Sequence, residues 1–500
     1  MSSYEPRYPG TRWRIVYGSY AYCQRHAVDA VQREAQRFQP YVIQTHPAGA
    51  AQRECDDHLI VIGTPGDNPL AAELGGMGLA QVPTQPEGYA LGCVRSPWKP
   101  DRKVLYVVGH DDRGVMYGVH DLCGRVLAQH APPRWHQPKA MEEYPPRMRE
   151  GFDGMREFSF HEYPRVARRG LWTWGYVIYD YRRYLDHMAM LRMNHLIVWN
   201  DCPPVNAPQI VEYAHSRGIE VVWGFHWGWG RSDIDIANPE HRAAMRKQIV
   251  EQYQREYQHV GGDGIYFQTL TEHNQLEQAG RSLAAVVSDW VNEIARGLYE
   301  VDPGLYIQFG LHGTSIREHY VDLAALDDRI SIVWEDAGVL PYNYNPTTEW
   351  IGEERKRTWE DTFESTVEYS KKLATFRPGT EFAMVPKGWT CLRWAEEFEH
   401  HGPFILGERD AAFIRRRLEE RQPRWDMVNA LWLRNYGLGM RFYREVLACK
   451  PAKVLAAGLV EDGLFEESIQ PSVSLFAQTI WNPDRPEAEV LDQALSGYYR

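Results

Sequence analysis

Residues able to do chemistry stand close together at Thr271-Glu272-His273-Asn274, where a carboxyl, an imidazole and an amide occupy adjacent positions. The run before them, 265–270, is aromatic and β-branched. It follows the turn residues Gly261-Gly262-Asp263-Gly264, so it reads as a strand beginning at Gly264. A side chain just past the carboxyl end of a parallel strand sits where α/β proteins gather their functional loops. Glu272 is therefore the first candidate for a proton donor. A second acid group is needed opposite it, and Glu335-Asp336 follows another strand-like run in the same way. One protonated and one ionised carboxyl group are the equipment for cleaving a glycosidic bond. Either member of Glu335-Asp336 can be the water-activating base, and apolar neighbours such as Trp223 and Trp334 would keep Glu272 protonated.

The same pattern of strand followed by indole or polar side chain recurs along the chain. It offers Trp172 and Trp174, then Trp199-Asn200-Asp201, then His226, Trp227 and Trp229, then His312, then Lys387 and Trp389, and finally Trp481-Asn482. Indole faces suit the C–H faces of sugars, and the chain has 18 Trp and 29 Tyr. In a sugar cleft His226, His273, Asn274 and His312 would bond hydroxyls and Asp201 would clamp a vicinal pair. Lys387, or less directly Arg393, would meet a substrate carboxylate. Each of these residues has a plainer reading as core or rim, and a Trp at a strand end is core at least as often as not. A metal site at His226, Glu272 and His312 has no close ligand spacing behind it. No cofactor is implied.

These positions need a scaffold that brings strand ends together. From about residue 166, strands and helices alternate, with strands expected at 170–174, 195–199, 219–225, 265–270, 305–309, 330–334, 381–385 and 474–480. Eight of them fit an α/β fold, a (β/α)8 TIM barrel, with a helical insertion at about 392–470 before the eighth strand. Ahead of it, a small α/β N-terminal domain is expected over 1–148, with strands at 14–17, 59–63 and 104–108. The barrel then takes 149–500, and the Pro-rich stretch 131–150 is the linker. Gly109-His110-Asp111-Asp112-Arg113-Gly114 fits neither a dinucleotide nor a P-loop pattern and reads as a tight strand-to-helix turn.

Composition narrows the function classes. A net charge of -12 without a basic stripe argues against nucleic acid. No apolar run has the length of a membrane span, and the N-terminus lacks the apolar core of a signal peptide, so a cytoplasmic protein is expected. The seven cysteines are scattered without metal spacing and read as free thiols. The expected partner is an oligosaccharide or glycoside, with a homo-oligomer left open.

Glu87 to Leu91 and Gly114 to Gly118, in their places, resemble the N-terminal domain that precedes the barrel in α-glucuronidases and β-hexosaminidases. The stretch from Gly264 to His273, the loop with Val205-Asn206 and Trp481-Asn482-Pro483-Asp484 resemble motifs of the α-glucuronidases of glycoside hydrolase family 67. That resemblance implies a glycosidase with Glu272 as general acid and a base from the sixth or seventh strand exit. The chain departs from the pattern at Pro386-Lys387-Gly388, where a glutamate is expected, and at the short Glu335-Asp336-Ala337 segment. A β-N-acetylhexosaminidase-like enzyme is the alternative suggested by His259-Val260-Gly261-Gly262-Asp263-Gly264, although Gly264 stands where that motif carries its acid. A non-catalytic carbohydrate-binding barrel is the other.

Overall fold

The computed structural model describes residues 10–39, 41–127, 154–200, 202–228, 231, 233–269, 271, 276–335, 363–389, 403–460 and 464–495. Two compact units emerge: 1–164 with 216–218 and 491–500, and 165–215 with 219–490.

The N-terminal unit is built on β1 (Trp13–Tyr17), β2 (Gln44–Pro47), β3 (His58–Gly63), β4 (Tyr89–Arg95), β5 (Lys103–Gly109) and β6 (Phe158–Glu162), in the order β2-β1-β3-β5-β4-β6. β3 and β5 are almost wholly buried because both faces of a sheet in this architecture are covered. β4 and β6 are the antiparallel pair at one edge, so the sheet continues past residue 148, where the sequence had placed the domain boundary. The turn after β5 is structural, as expected. Asp111 caps the helix Asp112–Asp121 by accepting from Gly114 N at 2.9 Å, and it also accepts from Glu87 N at 2.8 Å.

The second unit is a closed parallel barrel of β7 (Arg168–Trp174), β8 (His195–Trp199), β9 (Glu220–Gly224), β10 (Gly264–Phe267), β13 (Tyr306–Leu311), β14 (Ile330–Trp334), β15 (Glu381–Met384) and β16 (Lys453–Leu459). Between β10 and β13 a two-residue turn, Ala279-Gly280, joins the short antiparallel pair β11 (Glu277–Gln278) and β12 (Arg281–Ser282). Both turn residues have positive φ, as a hairpin of this length requires.

Seven strands lie where the sequence puts them, but the eighth does not. The stretch 474–480 belongs to the helix Pro471–Trp481, whose residues 472–481 are all buried. A helix covered on every side has no polar stripe, so its apolar run imitates a buried strand. The true closing strand, Lys453–Leu459, pairs with β15 and β7 and lies inside the range assigned to the helical insertion. The insertion itself is present as the long helix Ala411–Ala448, continuous through Pro423.

Side chains alternate across each strand. Trp172, Ile197, Trp199, Val222, Tyr266, Val333, Ala383, Leu455 and Ala457 fill the barrel interior, while their neighbours pack outward. Full burial of each large apolar side chain is worth roughly 1.5–3 kcal/mol, so this interior is a main source of stability.

Candidate active site

At the carboxyl end of the barrel, the inward positions among the described residues include Trp174, Trp199, His226, Gln268, His312, Glu335 and Lys387. The rings occupy one side. Trp199 lies parallel to Trp172 at 6.3 Å, edge-on to Trp174 at 6.1 Å and edge-on to Tyr266 at 5.8 Å. Trp199 is consumed by this packing, with 4% of its surface exposed, whereas Trp174 is half-buried and packs against the same interior cluster.

The other side is polar and is organised by Glu335, which is 5% exposed. Its Oε1 accepts from the Tyr266 hydroxyl and from Gln268 Nε2. Its Oε2 lies 3.1 Å from His312 Nε2 and 3.7 Å from Lys387 Nζ. Burial pushes this carboxyl's pKa up, but His312, Lys387 and the Tyr266 hydroxyl outweigh burial and hold it well below the usual range. Tyr266 is displaced the other way: burial and the Glu335 charge keep it a neutral donor. Glu335 is thus a buried anion whose Oε1 accepts two hydrogen bonds and whose Oε2 faces an imidazole and an ammonium.

Local sequence explains the assembly. Gly264, Tyr266 and Gln268 share the inward face of β10 by period-two alternation. Gly310 on β13 leaves the gap they need, since a methyl group there would sit 2.7 Å from Glu335 Oε1 and closer still to the Tyr266 hydroxyl. The backbone on either side of Lys387 is fixed. Leu459 N donates to Pro386 O at 2.9 Å, and Trp432 of the long helix donates to Gly388 O at 3.3 Å. Tyr266, Gln268 and Gly310 were not singled out from sequence, although the alternation within 264–268 was a signal that could have found the first two.

Several expected site residues lie elsewhere. Trp227 faces outward, stacked on Phe267 at 3.5 Å, and has no exposed surface. Trp389 is likewise fully buried, stacked on Trp432 at 4.3 Å, which removes the face a sugar would need. Trp481 is not at a strand exit. It ends the helix Pro471–Trp481, its carbonyl accepts from Arg165 N ahead of β7, and Arg169 and Arg192 lie over its ring, so it belongs to the opposite end of the barrel. Trp223 and Trp334 alternate with the inward Val222 and Val333 and so face out of the barrel; Trp334 packs against Phe376 at 6.3 Å. His226 faces inward, and its Nδ1 is buried without a hydrogen-bond partner among the described residues. Asp201, Glu272, His273, Asn274, Asp336 and Arg393 lie outside the described residues. Among the described residues nearby, the Thr269 hydroxyl donates to Trp227 O at 3.0 Å and Leu283 N donates to Leu276 O at 2.8 Å.

Residues 15–122 match the family profile described as glycosyl hydrolase family 67 N-terminus. The matched segment contains both N-terminal motifs, 87–91 and 114–118, and stops short of the barrel. Comparison with curated proteins finds no match. Among solved structures, CpGH84B is similar over 96% of this chain and 70% of its own, with 11% identity and a TM-score of 0.51. A β-N-acetylhexosaminidase from Bacteroides fragilis NCTC 9343 is similar over 97% of this chain and 91% of its own, with 13% identity and a TM-score of 0.48. At such identity the likeness to CpGH84B is one of fold.

Among the described residues, no group of three His, Cys, Asp or Glu side chains is arranged to hold a metal ion. No helix among them is long and apolar enough to cross a membrane.

Proposed function

We propose that this protein is a glycoside hydrolase that removes a terminal sugar from an oligosaccharide, with Glu272 as the general acid. The observation that carries the proposal is the barrel mouth. A half-buried indole, Trp174, stands on one side and a buried carboxylate, Glu335, whose neighbours favour its charged form, on the other, both at the end of the strands where barrel enzymes work. The family 67 match at the N-terminus supports the same reading.

A base must offer a lone pair to water, whereas Glu335 Oε1 already accepts two hydrogen bonds and Oε2 is faced by His312 at 3.1 Å and by the Lys387 ammonium at 3.7 Å. We therefore assign water activation to Asp336 and make Glu335 a positioning residue that sets Tyr266, His312 and Lys387 around the sugar. Glu272 then protonates the leaving oxygen, and the carboxyl separation decides the stereochemistry: roughly 6.5–9.5 Å for inversion, about 5–5.5 Å for retention.

The test is a screen of aryl glycosides, uronides included, with Glu272→Gln and Asp336→Asn beside the wild type. Each substitution should lower kcat by about 10²–10⁴ with the fold intact. Full turnover by Glu272→Gln would remove the acid assignment. The saturation of Glu335 also favours a second reading, a sugar-binding barrel without turnover. Sugar binding with no hydrolysis of any glycoside in the screen would select it.

A further inference from the structure

The mouth also carries information about the charge of its ligand. Among the described residues at inward strand-exit positions, Lys387 is the only cation with a fixed charge, and its ammonium lies 3.7 Å from Glu335 Oε2. His312 approaches the same oxygen at 3.1 Å. The remaining inward groups, Trp174, His226 and Gln268, carry no permanent charge. Lys387 is therefore opposed by an anion the protein supplies itself.

We propose that the subsite beside Glu335 is specific for an uncharged sugar and rejects a uronic acid. The inference rests on the proposed glycosidase reading only in placing a sugar in this mouth.

The physical reason is competition for one cation. A uronate entering here would bring a second carboxylate toward a buried one whose oxygens are already engaged. Sharing Lys387 would then require loosening the Glu335 contact, and breaking one partner away from a buried charge pair is costly. A neutral sugar makes no such demand. Its hydroxyls can accept from Lys387 Nζ and bond to His226 or His312, and its C–H face can lie on Trp174. Tyr266 and Gln268 close the other side of Glu335, so the carboxylate cannot turn away to release the lysine without abandoning both. Glu335 thus acts on specificity as a built-in occupant of the position a substrate carboxylate would take.

The experiment is calorimetric titration of the full chain at neutral pH and constant ionic strength with matched pairs differing only at C6: glucose and glucuronate, galactose and galacturonate, mannose and mannuronate. The neutral member of the preferred pair should bind at least tenfold more tightly. Equal or tighter binding of the uronate would overturn the proposal, as would absence of binding by every sugar at high millimolar concentration. A Glu335→Gln variant supplies a second readout. With the Glu335 charge removed from beside Lys387, its uronate-to-neutral affinity ratio should rise at least tenfold, and an unchanged ratio in a folded variant would overturn the assigned role. If that variant fails to fold, the wild-type pairs still decide. Hydrolysis is read separately: neutral-sugar binding without turnover would refute the glycosidase and leave this inference standing.

Discussion

Gly310 offers the sharpest perturbation of the Glu335 cluster, because it touches the cluster without removing any of its members. A Gly310→Ala methyl would lie 2.7 Å from Glu335 Oε1 and closer to the Tyr266 hydroxyl. Ordinarily the far ends of two side chains would swing aside at little cost. Here the Tyr266 ring is held edge-on between Trp172 at 6.0 Å and Trp199 at 5.8 Å, and Glu335 is fixed by His312 and Lys387. Displacement therefore breaks a hydrogen bond to a charged group, about 1.5–3 kcal/mol, and adds overpacking strain of about 1–3 kcal/mol. Partial relaxation brings the expected loss to about 2–4 kcal/mol. The measurement is urea denaturation followed by tryptophan fluorescence, with the slope checked for constancy. Gly304→Ala serves as the control in the same unit, since its methyl would meet nothing nearer than Asp302 Oδ1 at 3.9 Å and should shift stability by no more than about 0.5 kcal/mol. A Gly310→Ala protein as stable as that control would show that Tyr266 and Glu335 are not packed as described.

Two further outcomes follow from groups away from the mouth. Burial raises the pKa of Glu220, but His195 and Arg168 more than offset it and bring it from the ordinary 4.5 to about 2. Its stabilising contribution is therefore complete above about pH 4.5 and disappears as pH falls through about 2. The contribution from His195 and Arg168 together is set at about 1–3 kcal/mol. Glu220→Gln should be less stable than the wild type by that amount at pH 6, and the two acid-unfolding curves should converge toward pH 2. Cys23 and Cys93 are buried, and burial pushes both thiols up to about 11. Neither should react with a disulfide reagent at pH 8 until urea unfolds the chain, and rapid native labelling of either would contradict the packing.

The parts of the fold legible in sequence are those whose local pattern is unambiguous. His195–Trp199 and Ile330–Trp334 are short, buried runs bounded by turn or helix signals, and both lie where the sequence puts them. Lys453–Leu459 escaped because Ala456-Ala457-Gly458 has little strand propensity; only pairing on both sides, with β15 and β7, makes it a strand. Glu335 was visible as a strand-exit acid. Its environment was not, because Tyr266 and Gln268 lie 69 and 67 residues away in the chain and reach it only when the barrel closes. The indoles failed for a related reason. Trp174 and Trp227 look alike in sequence, yet one is half-buried against the interior cluster and the other is stacked on Phe267 outside the barrel.

Residue type does not separate scaffold from site here; position along the strand does. The barrel interior holds a second charged network at the other end. Arg168 meets Glu220 at 3.0 Å and Glu381 at 2.7 Å, while the Tyr306 hydroxyl and Ser331 Oγ donate to Glu381. Glu381 resembles Glu335 in having a tyrosine donor and a cationic partner. But Glu381 opens its strand, and Glu335 follows the end of its own. At the amino end the chain returns through short connections, and a satisfied ion network there closes the barrel floor. At the carboxyl end the same arrangement stands under the functional loops. There a satisfied carboxylate still governs whatever charge comes near it, so Glu335 can direct the chemistry of the mouth without being one of its reacting groups.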